Sequence, residues 1–132
     1  MTEVAPGVDR QAAARRVEPS PNGLTIYVVR DRWTDARHLV PIDIDGRTAQ
    51  TLPMSFVRAQ LPPGRHTVRL SFEGVTSAID VEGRAGDIVV VDLAGSVWSW
   101  ASSFRWEPAV RSGMVERLRR LRLTGEISSE GG

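Results

Sequence analysis

The sequence predicts an all-β protein, an antiparallel β-sandwich closed by one C-terminal amphipathic α-helix. Segments rich in β-branched and apolar residues recur along the middle of the chain, at intervals of roughly 8 to 12 residues between 55 and 94, and turn signals such as DG, PPG and GRAG lie between segments. The apolar spacing changes to a helical period only near the end. A chain of 132 residues is also long enough to bury a single core.

The N-terminal part is expected to be irregular. Residues 1–23 are predicted to form a flexible arm, because they are small, polar and proline-containing and show no sustained apolar period. Order is expected to begin at 24–30, LTIYVVR, whose run of β-branched and aromatic residues is typical of a strand buried on both faces. Isoleucines and aspartates then alternate in 38–45, and Asp45-Gly46 predicts a hairpin turn.

Four more strands are predicted in the middle of the chain. Residues 55–61 alternate between apolar and polar and lead to a corner at Pro62-Pro63-Gly64, after which 66–72 form the next strand. A weaker strand is expected at 76–82. The segment 87–94, DIVVVDLA, is the most apolar strand of the chain.

The C-terminal segment 111–123 is predicted to be a helix, because its apolar residues fall on one helical face: Met114, Val115, Leu118 and Leu121. Ser112 is placed to cap this helix and Gly125 to end it. The β-sandwich domain with its helix is therefore expected to span 24–124, and 125–132 to be a disordered tail.

Composition excludes several chemistries. The chain has no cysteine, so it has no disulfide, no thiolate metal site and no cysteine nucleophile. Its formal net charge is only +1, so nucleic acid is not an expected partner. No nucleotide-binding or hydrolase motif is present, so no cofactor is predicted. Neither a secretory signal nor a run of 18 apolar residues is visible.

The titratable residues give little support to catalysis. His38 and His66 are the only near-neutral bases, and His66, which follows the proline corner, is expected to pack the turn. Asp43 and Asp45 are similar to the start of a calcium loop, but the distal carboxylate that such a loop needs is missing. No enzyme activity, catalytic residue or metal ligand is therefore predicted.

Four motifs in order resemble a bacterial domain-of-unknown-function family of small, lipoprotein-like β-sandwich proteins: TIYVVR, IDIDGR, LPPGRHTVRL and AGDIVVVD, followed by the basic segment LRRLRL. The turn LPPGRHTV is also similar to that of PEGA-type domains. The resemblance implies a transthyretin-like or immunoglobulin-like sandwich of the bacterial cell envelope, without catalytic residues. The signal and lipid-accepting cysteine of many members are missing here, so the sequence leaves localisation open.

Residues 96–106, SVWSWASSFRW, are the first candidate binding segment. In strand conformation Trp98 and Trp100 share one face, and Phe104 and Trp106 share a face of the next strand. Three interpretations stay open: the last sheet segment packed in the core, a protein or self-association surface, or a contact for a glycan or lipid.

The basic helix is the second candidate. Residues 111–122 carry five arginines and one glutamate. Arg117, Arg119 and Arg120 are placed to contact an anionic membrane surface, or else the apolar stripe packs on the sandwich and the arginines face solvent. We predict a non-enzymatic binding or scaffold module whose partner is another protein or a second copy. The alternative is a carbohydrate- or membrane-surface-binding module.

Overall fold

The computed structural model describes Gln11, Ala14 and residues 21–30, 40–52, 54–72, 75–94, 97–104 and 108–128. Of residues 72, 75, 94, 97–104, 108–112 and 128 it describes the backbone alone. The elements within these residues are β1 (Leu24–Arg30), β2 (Val40–Ile44), β3 (Arg47–Thr51), β4 (Ser55–Leu61), β5 (Gly64–Phe72), β6 (Val75–Gly83), β7 (Ile88–Ala94), β8 (Val97–Phe104), α1 (Pro108–Leu118) and β9 (Arg122–Ser128).

The strands form two sheets in a sandwich-like, all-β arrangement. Sheet 1 has the order β8-β7-β1-β4-β9, and sheet 2 has the order β3-β2-β5-β6. All neighbours in sheet 2 are antiparallel. In sheet 1, however, β1 runs parallel to β7 and β4 runs parallel to β9. The prediction of a purely antiparallel sandwich is therefore wrong, because long connections rather than hairpins join these two pairs of strands.

A first core fills the space between the sheets. It is built from alternate residues of strands in both sheets, including Ile26, Val28, Ile42, Ile44, Val68 and Leu70. Each of these side chains is at most 1% exposed, and burying one such side chain contributes about 1.5–3 kcal/mol. The polar residues between them on β2 and β5 face solvent, so sheet 2 has one apolar face and one polar face.

A second core covers the other face of sheet 1. Tyr27 and Phe56, whose ring centroids lie 6.0 Å apart, pack there with Met114 and Leu118 of α1. Sheet 1 therefore lies between sheet 2 and the helix. This layering explains why every residue of β1 is buried, as the unbroken apolar run at 24–30 predicts.

Two local predictions are confirmed residue by residue. Strands β1 and β4 have the predicted bounds, 24–30 and 55–61. The turn between β2 and β3 lies at Asp45 and Gly46, whose φ angles of 51° and 89° are those of a type I′ hairpin turn. Glycine and aspartate tolerate this left-handed backbone better than most residues do.

The C-terminal prediction is wrong in its boundaries. The helix begins at Pro108, which needs no amide partner at that position, so Ser112 lies inside the helix and is not its cap. It ends at Leu118 rather than at 123. Gly125 lies within β9, so it does not stop the helix, and 125–128 belong to a strand rather than to a disordered tail. Residues 129–132 lie outside the described part.

The predicted N-terminal arm also needs correction at two residues. Gln11 and Ala14 both have helical backbone, and Ala14 is fully buried in the second core. The hydroxyl of Tyr27 donates a hydrogen bond to the carbonyl of Ala14 at 2.8 Å. Flexibility is therefore the wrong prediction for Gln11 and Ala14, and residues 1–10, 12–13 and 15–20 lie outside the described part of the chain.

Candidate functional site

One lateral side of the sandwich, which we call the closed side, joins β9 of sheet 1 to β3 of sheet 2. The hydroxyl of Thr124 on β9 donates to the carbonyl of Gln50 on β3 at 2.8 Å. Gly125 allows this approach, because a Cβ atom there would lie 3.1 Å from Cβ of Ala49. The edges of the two sheets are therefore held together on this side.

The opposite lateral side, which we call the open side, consists of β6 and β8. Each is the terminal strand of its sheet. Within the described residues, no backbone hydrogen bond joins the two strands. Because an edge strand leaves part of its N–H and C=O groups without a strand partner, the open side offers main-chain donors and acceptors to another chain.

Strand β6 lacks most of the features that usually protect a sheet edge, the exception being its exposed charged residues Asp80 and Glu82. It is nine residues long, contains no proline, and pairs with β5 without a register shift. Its two carboxylates are held by β5, because Thr67 Oγ1 donates to Asp80 at 2.8 Å and Arg65 lies 3.6 Å from Glu82. Natural edges are commonly short, bulged, or blocked by proline or lysine. The geometry of β6 is thus compatible with the addition of another strand.

Strand β8 brings three of the predicted binding residues to the open side. The Cα partners of Trp98, Trp100 and Phe104 on β7 are Leu93, Asp92 and Ile88. Phe104 therefore ends the same strand and does not belong to a next one. Strand β8 is also not the last sheet segment, because β9 follows the helix.

The prediction that Trp98 and Trp100 share a face assumed regular alternation along the strand. The pairing of β7 with β8 shifts register between Asp92 and Leu93, which interrupts this alternation. The side chains of Trp98, Trp100 and Phe104 are not described, and Trp106 lies outside the described residues. Their proposed binding role stays a prediction.

The arginines of the C-terminal segment are not equivalent. Arg117 forms an ion pair with Asp92 on β7, in which both side chains are largely buried. Arg119 is exposed and lies 3.4 Å from Glu116, and Arg120 is also exposed. The apolar residues Met114 and Leu118 are buried against sheet 1, so the helix uses its apolar face for packing.

A second polar cluster joins two turns at one end of sheet 2. The carboxylate of Asp45 pairs with Nδ1 of His66 and accepts a hydrogen bond from the amide of Thr67 at 3.2 Å. The other ring nitrogen of His66 lies 2.7 Å from the carbonyl of Pro62. His66 thus packs the proline corner against the β2–β3 turn, the position predicted for it.

The environment of Asp45 favours its charged form. Partial burial alone would raise the pKa of this carboxyl group. The hydrogen bonds from His66 and from the Thr67 amide, with the nearby charges of His66 and Arg47, outweigh burial and lower the pKa of Asp45 below its ordinary value. Because both ring nitrogens of His66 face acceptors, neither has a lone pair directed at a substrate in this arrangement.

The other acidic residues that the structure describes form no cluster of metal ligands. Asp43 accepts a hydrogen bond from the amide of Gly46 at 3.2 Å and so supports the turn. No group of three or more potential metal ligands occurs among the residues that the structure describes. In the same part of the chain, no helix has the length and apolar character needed to cross a membrane. His38 lies outside the described residues.

No protein-family model matches this chain, and no curated protein matches it in sequence. The relationship to the lipoprotein-like family therefore stays a prediction. A functional proposal for this protein therefore depends on the geometry of its surface.

Arg69 is a candidate residue that sequence reasoning missed. It is exposed on the outer face of β5, opposite Asp43 on β2 and opposite Ala78 on β6. Its guanidinium forms no hydrogen bond or ion pair with any residue that the structure describes. The only available signal was its outward position in the alternating segment 66–72, which many surface arginines share.

Proposed function

We propose that this chain is a non-catalytic binding or scaffold module that engages a protein partner through its open side. The observation that carries the proposal is the nine-residue edge of β6, which pairs with no second strand among the residues that the structure describes. An added strand gains affinity from main-chain hydrogen bonds along such an edge and specificity from side chains on alternate positions. Trp98, Trp100, Phe104 and Trp106 are proposed to add aromatic contacts from the neighbouring segment.

A protein partner is favoured over a membrane surface by the packing of α1. An interfacial helix binds lipid through an exposed apolar face. Here Met114 and Leu118 are buried in the second core, and Arg117 is paired with Asp92. The exposed arginines Arg119 and Arg120 then offer charge without an adjoining apolar face among the described side chains.

The resemblance found in the sequence supports two finer proposals. The sandwich is proposed to be of the transthyretin-like or immunoglobulin-like type, and its compartment to be a bacterial cell envelope. Both follow from the four ordered motifs between residues 24 and 124. Fractionation of the native cells, with detection of the chain in each fraction, tests the second proposal directly.

Two proline variants test the function of the β6 edge. Consecutive residues of an antiparallel pair alternate between directing their main-chain groups toward the partner strand and away from it. Of Ser77→Pro and Ala78→Pro, one therefore removes a hydrogen bond to β5 and destabilises the protein, whereas the other removes only an outward N–H group. Thermal unfolding identifies which variant is which.

The stable proline variant is then compared with the unchanged chain in affinity capture from fractionated native cells. Loss of a captured protein in that variant supports the proposal, since the fold is retained and only the edge is blocked. Equal capture by both forms contradicts it. A saturable change in tryptophan fluorescence with one sugar, unaffected by the proline, would favour the carbohydrate-binding alternative instead.

A further inference from the structure

We propose that the strand that fits the β6 edge is β6 of a second copy of this chain. The inference rests on the proposed function of the open side and names its partner. The two strands would run antiparallel about a two-fold axis at Ile79, the central residue of Val75–Gly83. Two four-stranded sheets would then form one continuous eight-stranded sheet.

Complete pairing and charge together select this register. An axis at Ala78 or Ser77 brings no two carboxylates together but leaves Glu82 and Gly83 opposite no residue of the partner's β6. With Ile79 opposite its own copy, Ala78 lies opposite the partner's Asp80, and Thr76 lies opposite the partner's Glu82. All nine residues are paired, and no carboxylate faces another carboxylate. Moving the axis to Asp80 places this residue opposite its own copy, and moving it to Val81 places Asp80 opposite the partner's Glu82, so both of these registers carry like-charge repulsion.

Arg69 supplies an attractive contact in the same register. It is the β5 neighbour of Ala78, so the partner's Asp80 would lie directly beyond a small alanine side chain. The Cα atoms of Arg69 and the partner's Asp80 would be two strand spacings apart, roughly 10 Å, which a long arginine and an aspartate side chain together bridge. Two-fold symmetry produces this pair twice in each dimer.

The residues that would form the pair are available for it. Arg69 is exposed and has no partner among the described residues. Asp80 is also exposed and receives its bond from Thr67 on Oδ1, and Oδ2 accepts no hydrogen bond from a described residue. Pairs at the rim of an interface contribute mainly to register and specificity, while the main-chain ladder contributes the affinity.

The inner face of the pairing is apolar at its centre. Ile79 is half-buried and packs at the margin of the first core. In the dimer it would be covered by its own copy, and Ser77 would lie beside the partner's Val81. The net charge of +1 adds little repulsion between two copies. A contact through one strand pair is small, so we expect a reversible dimer rather than an obligate one.

Charge exchange between Arg69 and Asp80 tests the proposed register. Sedimentation equilibrium of the full chain is expected to show a monomer–dimer equilibrium. Arg69→Glu alone and Asp80→Arg alone are each expected to raise the dimer dissociation constant about tenfold, because each places like charges across the axis. The double variant Arg69→Glu/Asp80→Arg is expected to return close to the original value. Arg120→Glu, which makes the same charge change at an exposed position after α1, serves as the matched control and should have little effect.

Cysteine cross-linking tests the axis independently of charge. The chain has no cysteine, so Ile79→Cys introduces a single thiol opposite its own copy. Paired residues across antiparallel strands have Cα separations of about 4.5–5.5 Å, which suits a disulfide. Mild oxidation should give a covalent dimer. Thr48→Cys, at an exposed position on the far edge strand β3, should cross-link much more slowly.

Any one of three results would overturn the inference. The first is a chain that stays monomeric up to roughly 1 mM protein, where even a weak dimer would be visible. The others are a double variant whose dimer dissociation constant does not return toward the original value, and equal cross-linking rates at positions 79 and 48. If the chain is monomeric but the edge-blocking proline still abolishes capture of a different protein, self-pairing is wrong and the proposed function stands. If capture is also independent of the edge, both are wrong.

Discussion

The side-chain amide of Gln11 forms two hydrogen bonds with the main chain of Leu123, one to its carbonyl and one from its amide, each 2.8 Å long. This pattern imitates the two bonds that a neighbouring strand would supply. Gln11 therefore covers the outer edge of β9 at Leu123. One residue further on, the hydroxyl of Thr124 ties the same strand to the carbonyl of Gln50 on β3. The terminal strand of sheet 1 on this side is covered, whereas no described residue forms such bonds with the outer edge of β6.

Replacing Gln11 should lower stability. Gln11→Ala removes both bonds and is expected to reduce the free energy of unfolding by about 1–2 kcal/mol, since a protein hydrogen bond contributes about 1 kcal/mol. Gln11→Glu should have an intermediate effect, because a carboxylate still accepts from the Leu123 amide but repels its carbonyl. Urea unfolding measures both, with Gln60→Ala on β4 as a control. Unchanged stability of Gln11→Ala would contradict the contact.

The stability of the protein should depend on the ionisation of Asp45. Its pKa is lowered in the folded state, so ionised Asp45 stabilises the fold above the unfolded-state pKa of about 3.9, and this contribution is lost as pH falls through the folded-state pKa. Asp45→Asn keeps a side chain that tolerates the positive φ angle but removes the charge. Unfolding free energies of the two proteins should therefore differ most above the unfolded-state pKa and converge as pH falls through the lowered, folded-state pKa of Asp45. A difference that does not change with pH would contradict this.

Two glycines should respond in opposite directions to the same substitution. A Cβ atom at Gly83 would lie 2.5 Å from Cδ1 of Leu24, so Gly83→Ala forces the first core to move and should cost about 1–3 kcal/mol. Gly113 lies in α1, with nothing within 4 Å of the added atom, so Gly113→Ala should stabilise by about 0.5–1 kcal/mol. Thermal and urea unfolding of the pair measure both effects. A shift in the same direction for both variants would contradict the packing described for β6 and α1.

Arginine substitutions on and after α1 should separate a packing role from a surface role. Arg117→Ala leaves Asp92 largely buried without its ion pair and should destabilise the protein by about 1–3 kcal/mol. Arg120→Ala, which removes the same charge from an exposed position, should change stability by less than about 0.5 kcal/mol. Urea unfolding distinguishes the two. Equal effects would show that the ion pair to β7 contributes nothing.

The parts of the fold that depend on local chemistry were predictable from the sequence. The apolar run at 24–30 indicated a strand buried on two faces, and Asp45-Gly46 indicated the turn between β2 and β3. Each of these signals is contained in a few consecutive residues. The ending of α1 was not predictable in the same way. Leu121 fits a helical stripe with Leu118 as well as it fits a strand alternation with Leu123, and the pairing of β9 with the distant β4, which begins at Arg122, decides between them.

The candidate site was predictable only in part. The tryptophan-rich segment was singled out by composition, but its place at a sheet edge depends on pairing with β7. The exposed edge of β6 could not be found by motif, since it arises from which strand ends the sheet, and neither could Arg69, which has no ion pair among the described residues. Gln11 was missed because a single polar residue in an irregular segment carries no periodic signal.

The parallel pairing of β1 with β7 has a consequence for how this protein folds during synthesis. Thr25 leaves the ribosome early, but its partner Ile88 follows only after all of sheet 2 has been made. Until then the most buried strand of the protein has one unpaired edge and no helix over its outer face. Such long-range pairing slows folding and exposes apolar segments to aggregation. Overproduction at low temperature, or with a chaperone that holds extended apolar segments, should therefore raise the yield of folded protein.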